Sequence, residues 1–251
     1  MMKKRFSDSG VLMATSIVIA YASLSNAAVM IKQDVHTDSF EVMGQKQPAQ
    51  NETNVIWLGE GAARMDQADT NSWIVYPDRN LVIELNHNSK TYLEIPMGEG
   101  SGMTGMADEE HGKSSDAEKV SQMMKALMKM EVKVTPTDET KKIRDWNCRK
   151  YIVETKMGMG TSSSETWTTE DIKADYDLFY AISKAFMSSI PGYKDIVDEM
   201  KKLEGLAVYT EGTANVMGTQ VKTVTEVVDY KDGPAPEGIF DIPAEYTKAQ
   251  R

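Results

Sequence analysis

The chain has 251 residues, of which 41% are hydrophobic and 26% charged, and a formal net charge of −10. This length and balance exclude a disulfide-stapled miniprotein and a disordered chain, and leave room for one large domain or two small ones. The acidity, with a pI of about 4.9, excludes broad binding to a nucleic-acid backbone.

The N-terminus reads as an export signal. Lys3, Lys4 and Arg5 form a positive front, Val11 to Leu24 is an apolar stretch, and Ser25-Asn26-Ala27 places small residues where a signal peptidase needs them. Cleavage is expected after Ala27, so residues 1–27 are a signal peptide and 28–251 one mature domain. Removing Lys3, Lys4, Arg5 and Asp8, a net +2, takes the charge from −10 to −12. After the first thirty residues no apolar run reaches the roughly 18 residues needed to span a bilayer. The expected address is periplasmic. Cys148 is the only cysteine, so no disulfide forms within the chain; in a strand it reads as a small buried hydrophobe.

Met30–Glu41, Asn54–Leu58 and Ala62–Asp66 read as strands, the last two joined by a tight turn at Gly59-Glu60-Gly61. Ser72–Tyr76, Leu81–Leu85 and Lys90–Ile95 follow as an antiparallel meander with turns at Pro77–Asn80 and Asn86–Ser89. The composition then changes. Residues 97–116 are rich in Gly, Ser, Met and acid, an insertion longer than most loops. Ser115–Glu118 reads as a capping box, and Val120, Met124 and Leu127 as one face of a helix running to about Lys129. Strands resume at Glu131–Thr135, Cys148–Thr155 and Ser164–Thr168. Thr168–Asp171 has a second capping-box pattern, before an apolar stripe of Ile172, Tyr176, Phe179, Phe186 and Ile190 that stops at Pro191-Gly192. A further helix over Lys194–Leu203 ends at Gly205. Leu206–Asn215 and Gln220–Tyr230 form a hairpin, and Phe240, Ile242 and Pro243 anchor a Pro-rich tail.

Most strand connections are hairpin-short, so the helices are not βαβ crossovers. The expected fold is α+β: a large curved antiparallel sheet, a half-open barrel, with about three helices covering its concave face.

Chemical motifs are few. Gly100 to Gly105 matches G-x-G-x-x-G, but the acidic run Ala107–Glu110 follows where a phosphate-binding helix would have to begin. The three histidines, His36, His87 and His111, have no zinc spacing, and no serine has a nucleophile-elbow setting. The expectation is a protein that is not an enzyme, with no cofactor and no resident metal. The 18 methionines cluster at Met97, Met103 and Met106 and at Met123, Met124, Met128 and Met130. Three readings stand: core filling, a pliable cleft for apolar ligands, or a Cu(I) site of Met103 and Met106 near His111. Trp57, Trp73, Trp146 and Trp167 fall on or beside strands, where core and cleft roles use the same residues.

Five stretches carry a resemblance: Lys90–Pro96 (KTYLEIP), Thr135–Ile143 (TPTDETKKI), Trp146–Val153 (WNCRKYIV), Glu165–Asp171 (ETWTTED) and Phe240–Tyr246 (FDIPAEY). In that order, across about residues 30–246, the chain resembles an uncharacterised family of exported bacterial proteins, a domain of unknown function. The resemblance implies a fold similar to the outer-membrane lipoprotein carriers, a half-open β-barrel with helices as a lid. It brings no catalytic residues. The long Met- and Gly-rich insertion and the acidity depart from those carriers.

The combined expectation is a periplasmic binding or carrier protein that holds a lipid or acyl chain between sheet and helices. The ligand-contacting residues would be Trp57, Trp73, Val120, Met124, Leu127, Phe179 and Phe186. The alternatives are an envelope protein-interaction module with a partner chain on the concave face, and a Cu(I)-handling protein.

Overall fold

A computed structural model describes residues 27–42, 44–59, 61–97, 130–158, 160–187, 192–216 and 218–249. Within them the chain builds one twelve-stranded sheet and a separate two-stranded hairpin. Strand β1 (Ala27–Thr37) pairs on one side with β4 (Gln50–Gly59), across the small hairpin β2 (Phe40–Val42) and β3 (Gln45–Gln47). A meander continues outward through β5 (Ala62–Gln67), β6 (Asn71–Tyr76), β7 (Leu81–Asn86) and β8 (Thr91–Pro96). A second meander comprises β9 (Met130–Ile143), β10 (Trp146–Met157) and β11 (Gly160–Thr169). Helices α1 (Tyr176–Met187) and α2 (Tyr193–Met200) come next, then the hairpin β12 (Leu206–Val216) and β13 (Thr219–Pro234). Because β12 pairs with β11 and β13 with β1, the first strand of the domain joins the two meanders. The order is open: the terminal strands, β9 and β14 (Thr247–Lys248), do not pair with each other.

Side-chain alternation sorts the sheet into two faces. The inner face carries the main cluster, with Ile31, Leu58, Val75, Val82, Ile95, Trp167, Val208 and Val227 among its members. These residues come from nearly every strand, so the two meanders share one core. Helix α1 lies against β5 and β6. Leu178, Ala181, Ile182 and Ala185, spaced i, i+3, i+4 and i+7, put its apolar stripe into that cluster, in place of the expected stripe: Ile172 precedes the helix, Tyr176 and Phe179 are only partly buried, and Ile190 lies outside the described residues. Helix α2 packs elsewhere, against β9, with Ile196 as its buried residue. The expected three helices over one face are thus two among the described residues, and only α1 joins the inner cluster. The helix expected up to Lys129 falls outside the described residues.

β6 and β7 are apolar on both faces for a reason that lies at the other end of the chain. On the outer face Ile74, Ile83 and Leu85 are covered by Phe240, Ile242 and Tyr246 of the tail. Gly59 accepts the Phe240 ring, since a Cβ there would stand 2.5 Å from Cε2. The tail then adds β14 in parallel beside β8, with Thr247 N–H donating to Lys90 O at 3.1 Å and Ala249 N–H to Tyr92 O at 2.9 Å.

Each edge of the sheet is thus covered over part of its length, as exposed strand edges invite pairing with other chains. At the β9 edge Val134 N–H donates to the Glu199 carboxylate of α2 at 3.0 Å. That bond and Lys202, the larger cause, hold the Glu199 carboxyl below its ordinary range. Pro136, which has no N–H to offer, sits in the same strand. The strand expected over Glu131–Thr135 in fact runs on to Ile143, because an edge strand tolerates the proline. The β9–β10 register shifts between Arg149 and Tyr151, so a bulge absorbs the irregular TPTDE run.

The expected capping box at Thr168–Asp171 does not start a helix. Thr168 and Thr169 stay in β11, paired with Ala207 and Leu206 and almost fully buried. Asp175 caps α1 instead, its Oδ1 accepting the N–H groups of Asp177 (3.0 Å) and Leu178 (3.2 Å). Gly205, at φ +84, lies so close to the Thr169 carbonyl that any Cβ would collide with it.

Candidate functional site

The inner face has a rim of half-buried aromatic and aliphatic groups around its closed core. Trp73 on β6 and Phe179 on α1, both expected to contact ligand, belong to it, as do Leu93, Trp146, Tyr209 and Tyr230. Trp57 lies elsewhere. Its neighbours Ile56 and Leu58 point into the inner cluster, so Trp57 faces outward, in register with Met30 and Arg64. Phe186 lies in the last turn of α1. Val120, Met124 and Leu127 lie outside the described residues, and so do Met103, Met106 and His111 of the copper reading. Among the described residues no group of three or more His, Cys, Asp or Glu is arranged to hold a metal. No described helix is long and apolar enough to cross a membrane.

A charged layer lies over the inner face of the second meander. The Lys141 ammonium stands 3.9 Å above the Trp167 ring and 5.3 Å from the Tyr209 ring, which is cation–π geometry. Lys150, with only 11% of its side chain exposed, is paired to Glu165 at 3.0 Å and Glu139 at 3.3 Å. The hydrogen bond that Lys150 donates to Glu165, and then that to Glu139, raise its pKa.

Beside this layer is an open groove of about 630 Å³ across one end of β9 to β11. Its floor is Asn147, Cys148 and Arg149 of β10. Thr140 and Lys142 of β9 form one wall, while the Lys141 ammonium between them turns to the inner face. Thr168 of β11, then Glu170 and Asp171, form the other, with Glu204 beyond α2. Asp171 is held in place: its Oδ2 accepts Asn147 N–H at 2.7 Å and Nδ2–H at 3.1 Å. Arg149 is held by Glu204 at 3.2 Å and by Thr137 O at 3.1 Å. Cys148 is 3% exposed and its side chain belongs to the inner apolar cluster, whereas its neighbours Asn147 and Arg149 point to the opposite face with Tyr151, Thr168 and Glu204, so the β10 backbone separates the groove from the cluster. Burial, the largest cause, pushes its thiol pKa up against an Ile143 backbone hydrogen bond that lowers it; the Asp171 charge adds a smaller rise and Lys141 a smaller fall. Such a thiol is a poor nucleophile at neutral pH. The sequence expectation of a buried cysteine holds; the groove was missed, because Lys142, Asn147 and Asp171 come together only through strand register.

The outer face carries a polar chain of another kind. Ser72, fully buried, donates to Asp66 Oδ1 at 2.5 Å and meets His87 Nε2 at 2.6 Å. His87 Nδ1 in turn meets the Tyr246 hydroxyl. Arg64 joins from the side, bonding Asp66 Oδ1 at 2.6 Å, Ser72 Oγ at 3.2 Å and Ile239 O at 2.8 Å. The order acid–serine–imidazole differs from the acid–imidazole–serine order that activates a nucleophile. What this chain does is bind the tail: Ile239 O and the Tyr246 hydroxyl both belong to it.

No curated protein matches the chain. A family model matches residues 41–246, from the β2 strand to the tail residue that bonds His87. The resemblance read from the five sequence stretches ends at the same residue. The chain belongs to the family described as Domain of unknown function (DUF4412).

Proposed function

We propose that the protein is a periplasmic binding or carrier protein that holds an acyl chain against the inner face of the sheet, beside α1. The observation that carries this reading is the mismatch between sheet and cover. The inner apolar face draws on both meanders, whereas α1 lies against β5 and β6, leaving Trp73, Leu93, Phe179 and Tyr209 half-buried around it. Apolar surface of this kind, rimmed by polar groups, is what an apolar ligand uses. The reading includes a half-open barrel, which the open strand order supports. The periplasmic address rests on the Lys3–Ala27 signal pattern.

Energetics bound the affinity. Each buried methylene contributes about 0.8 kcal/mol, so twelve give about 10 kcal/mol before association costs. Subtracting a cost of about 4 kcal/mol leaves a dissociation constant on the order of 0.1 mM. Longer chains bind about fourfold tighter per methylene. A titration series from decanoate to hexadecanoate with delipidated protein tests this. Affinity rising by about that factor is the expected result; no saturable binding across the series refutes the reading.

A further inference from the structure

We propose that a row of carboxamides across the inner face of β1 and β4 to β7 selects amphiphiles whose head is neutral and bears hydroxyls. This rests on the acyl-carrier reading and names the head chemistry of its ligand.

Strand register carries the argument. Gln33 on β1 stands opposite Asn54 on β4, Asn54 opposite Gln67 on β5, Gln67 opposite Asn71 on β6, and Asn71 opposite Asn86 on β7. Alternation from Ile31, Ile56, Met65, Trp73 and Val82, all in the inner cluster or packed against it, puts the whole row on the inner face. Polarity is thus graded along the strands. Leu58, Val75 and Val82 form a buried level, Met65, Trp73 and Leu93 a half-buried one, and the carboxamides a third. Each level lies two residues, about 7 Å, beyond the last. An acyl chain lying on Trp73 and Leu93 therefore brings its head to the row.

One atom of the row is sealed. Asn54 Oδ1 is buried and accepts no hydrogen bond. Gln67 and Asn86 are committed, Gln67 Nε2 donating to Glu52 at 3.4 Å and Asn86 Oδ1 accepting Ser89 N–H at 2.9 Å. The half-buried side chains of Gln33 and Asn71 make no hydrogen bond among the described residues. A donor that reaches Asn54 Oδ1 removes the penalty of an unpaired buried acceptor, whereas a head that only accepts leaves it in place. Charge narrows the choice. No lysine or arginine alternates onto this face of β1 and β4 to β8, while Glu52 and Glu84 do. An ionised carboxylate or phosphate there meets repulsion without a counter-charge. An ammonium donates but cannot accept from the amide N–H groups, and burying it is costly. A hydroxyl does both, as a carboxamide does.

Calorimetric titration of delipidated protein with four decyl probes below their micelle concentrations tests this: decyl glucoside, decyldimethylamine oxide, decanoate and decylammonium. The first offers neutral donors and the second is a neutral acceptor at pH 8. The wild type is compared with Asn54→Leu. The expected result is tightest binding of decyl glucoside, about fivefold or more ahead of decyldimethylamine oxide, with that lead lost in Asn54→Leu. Binding of the amine oxide changes less than about twofold between the two proteins. Ligand-free Asn54→Leu should unfold no lower than the wild type, because it removes an unpaired buried acceptor. A midpoint several degrees lower means that Oδ1 is already satisfied, and overturns the head assignment. So does a charged probe that binds tightest, or a glucoside lead that survives Asn54→Leu. Equal affinities of the four probes in both proteins overturn the head assignment and leave the carrier reading standing. No binding of any probe overturns both.

Discussion

Replacing Ser72 by Ala tests whether the outer-face polar chain holds the C-terminal tail in place. The hydroxyl gives up three contacts at once: the bond to Asp66 Oδ1 at 2.5 Å, the contact with His87 Nε2 at 2.6 Å and the bond from Arg64 at 3.2 Å. Arg64 keeps Asp66 and Ile239 O, so the group left without a partner is His87 Nε2. A bond to a charged acceptor contributes about 1.5–3 kcal/mol, and an orphaned polar group costs about 1–3 kcal/mol. Part of this is recovered, because 23% of the Asp66 side chain is exposed to water. The net expectation is a loss of about 3 kcal/mol, or a midpoint lowered by roughly 6–12 °C in a chain of this size. Urea unfolding measures the first quantity and calorimetry the second. Tyr246→Phe removes the far end of the same chain, so a double-mutant cycle of the two should show coupling of about 0.5 kcal/mol or more. A Ser72→Ala loss under about 0.5 kcal/mol, or strict additivity with Tyr246→Phe, refutes the account.

Three further outcomes are expected. Cys148 should react slowly with a disulfide reagent in the folded protein and rapidly in denaturant, because burial keeps the thiol protonated and covered; equal rates would show that the β10 floor is open. In its charged form His36 donates from both ring nitrogens, to Asn51 Oδ1 at 2.6 Å and Asp38 Oδ1 at 3.0 Å. Its pKa is raised, with the Asn51 bond the largest cause. Since the charged form is favoured in the folded state, its stabilising effect is complete below pH 6.5 and fades as pH rises through the folded value. NMR titration should place the His36 midpoint above 6.5, falling in Asn51→Ala; an unmoved midpoint contradicts the geometry. Gly205→Ala should cost about 1–2 kcal/mol for the left-handed backbone, and more for displacing the Thr169 carbonyl. Denaturant unfolding reads the loss, and a change within about 0.5 kcal/mol of wild type refutes the close approach.

The two faces of β6 and β7 mark how far local pattern reaches. Ser72–Tyr76 and Leu81–Leu85 are recognisable as strands because apolar, β-branched residues sit between turn formers such as Pro77 and Asn80. That they are buried on both sides depends on Phe240, Ile242 and Tyr246, some 160 residues later, which no local window contains. Thr168–Asp171 shows local pattern misleading. Its capping-box spacing is present, but pairing with β12 holds both threonines in the sheet and leaves Asp175 to cap α1. The groove is the extreme case. Lys142, Asn147 and Asp171 have no significant spacing in the chain, and their meeting depends on the register of three strands.

Local chemistry by itself determined the strand-rich class, the turns, the presence of a helix at α1, the buried thiol and the tail anchors Phe240 and Ile242, because each follows from side-chain period and backbone preference over a few residues. Tertiary structure alone decided that β1 joins two meanders, that α1 enters the inner core while α2 covers the β9 edge, and that opposite charges face each other across β10. Those outcomes depend on which distant strands pair and in what register, and that choice is made by the free energy of the whole core.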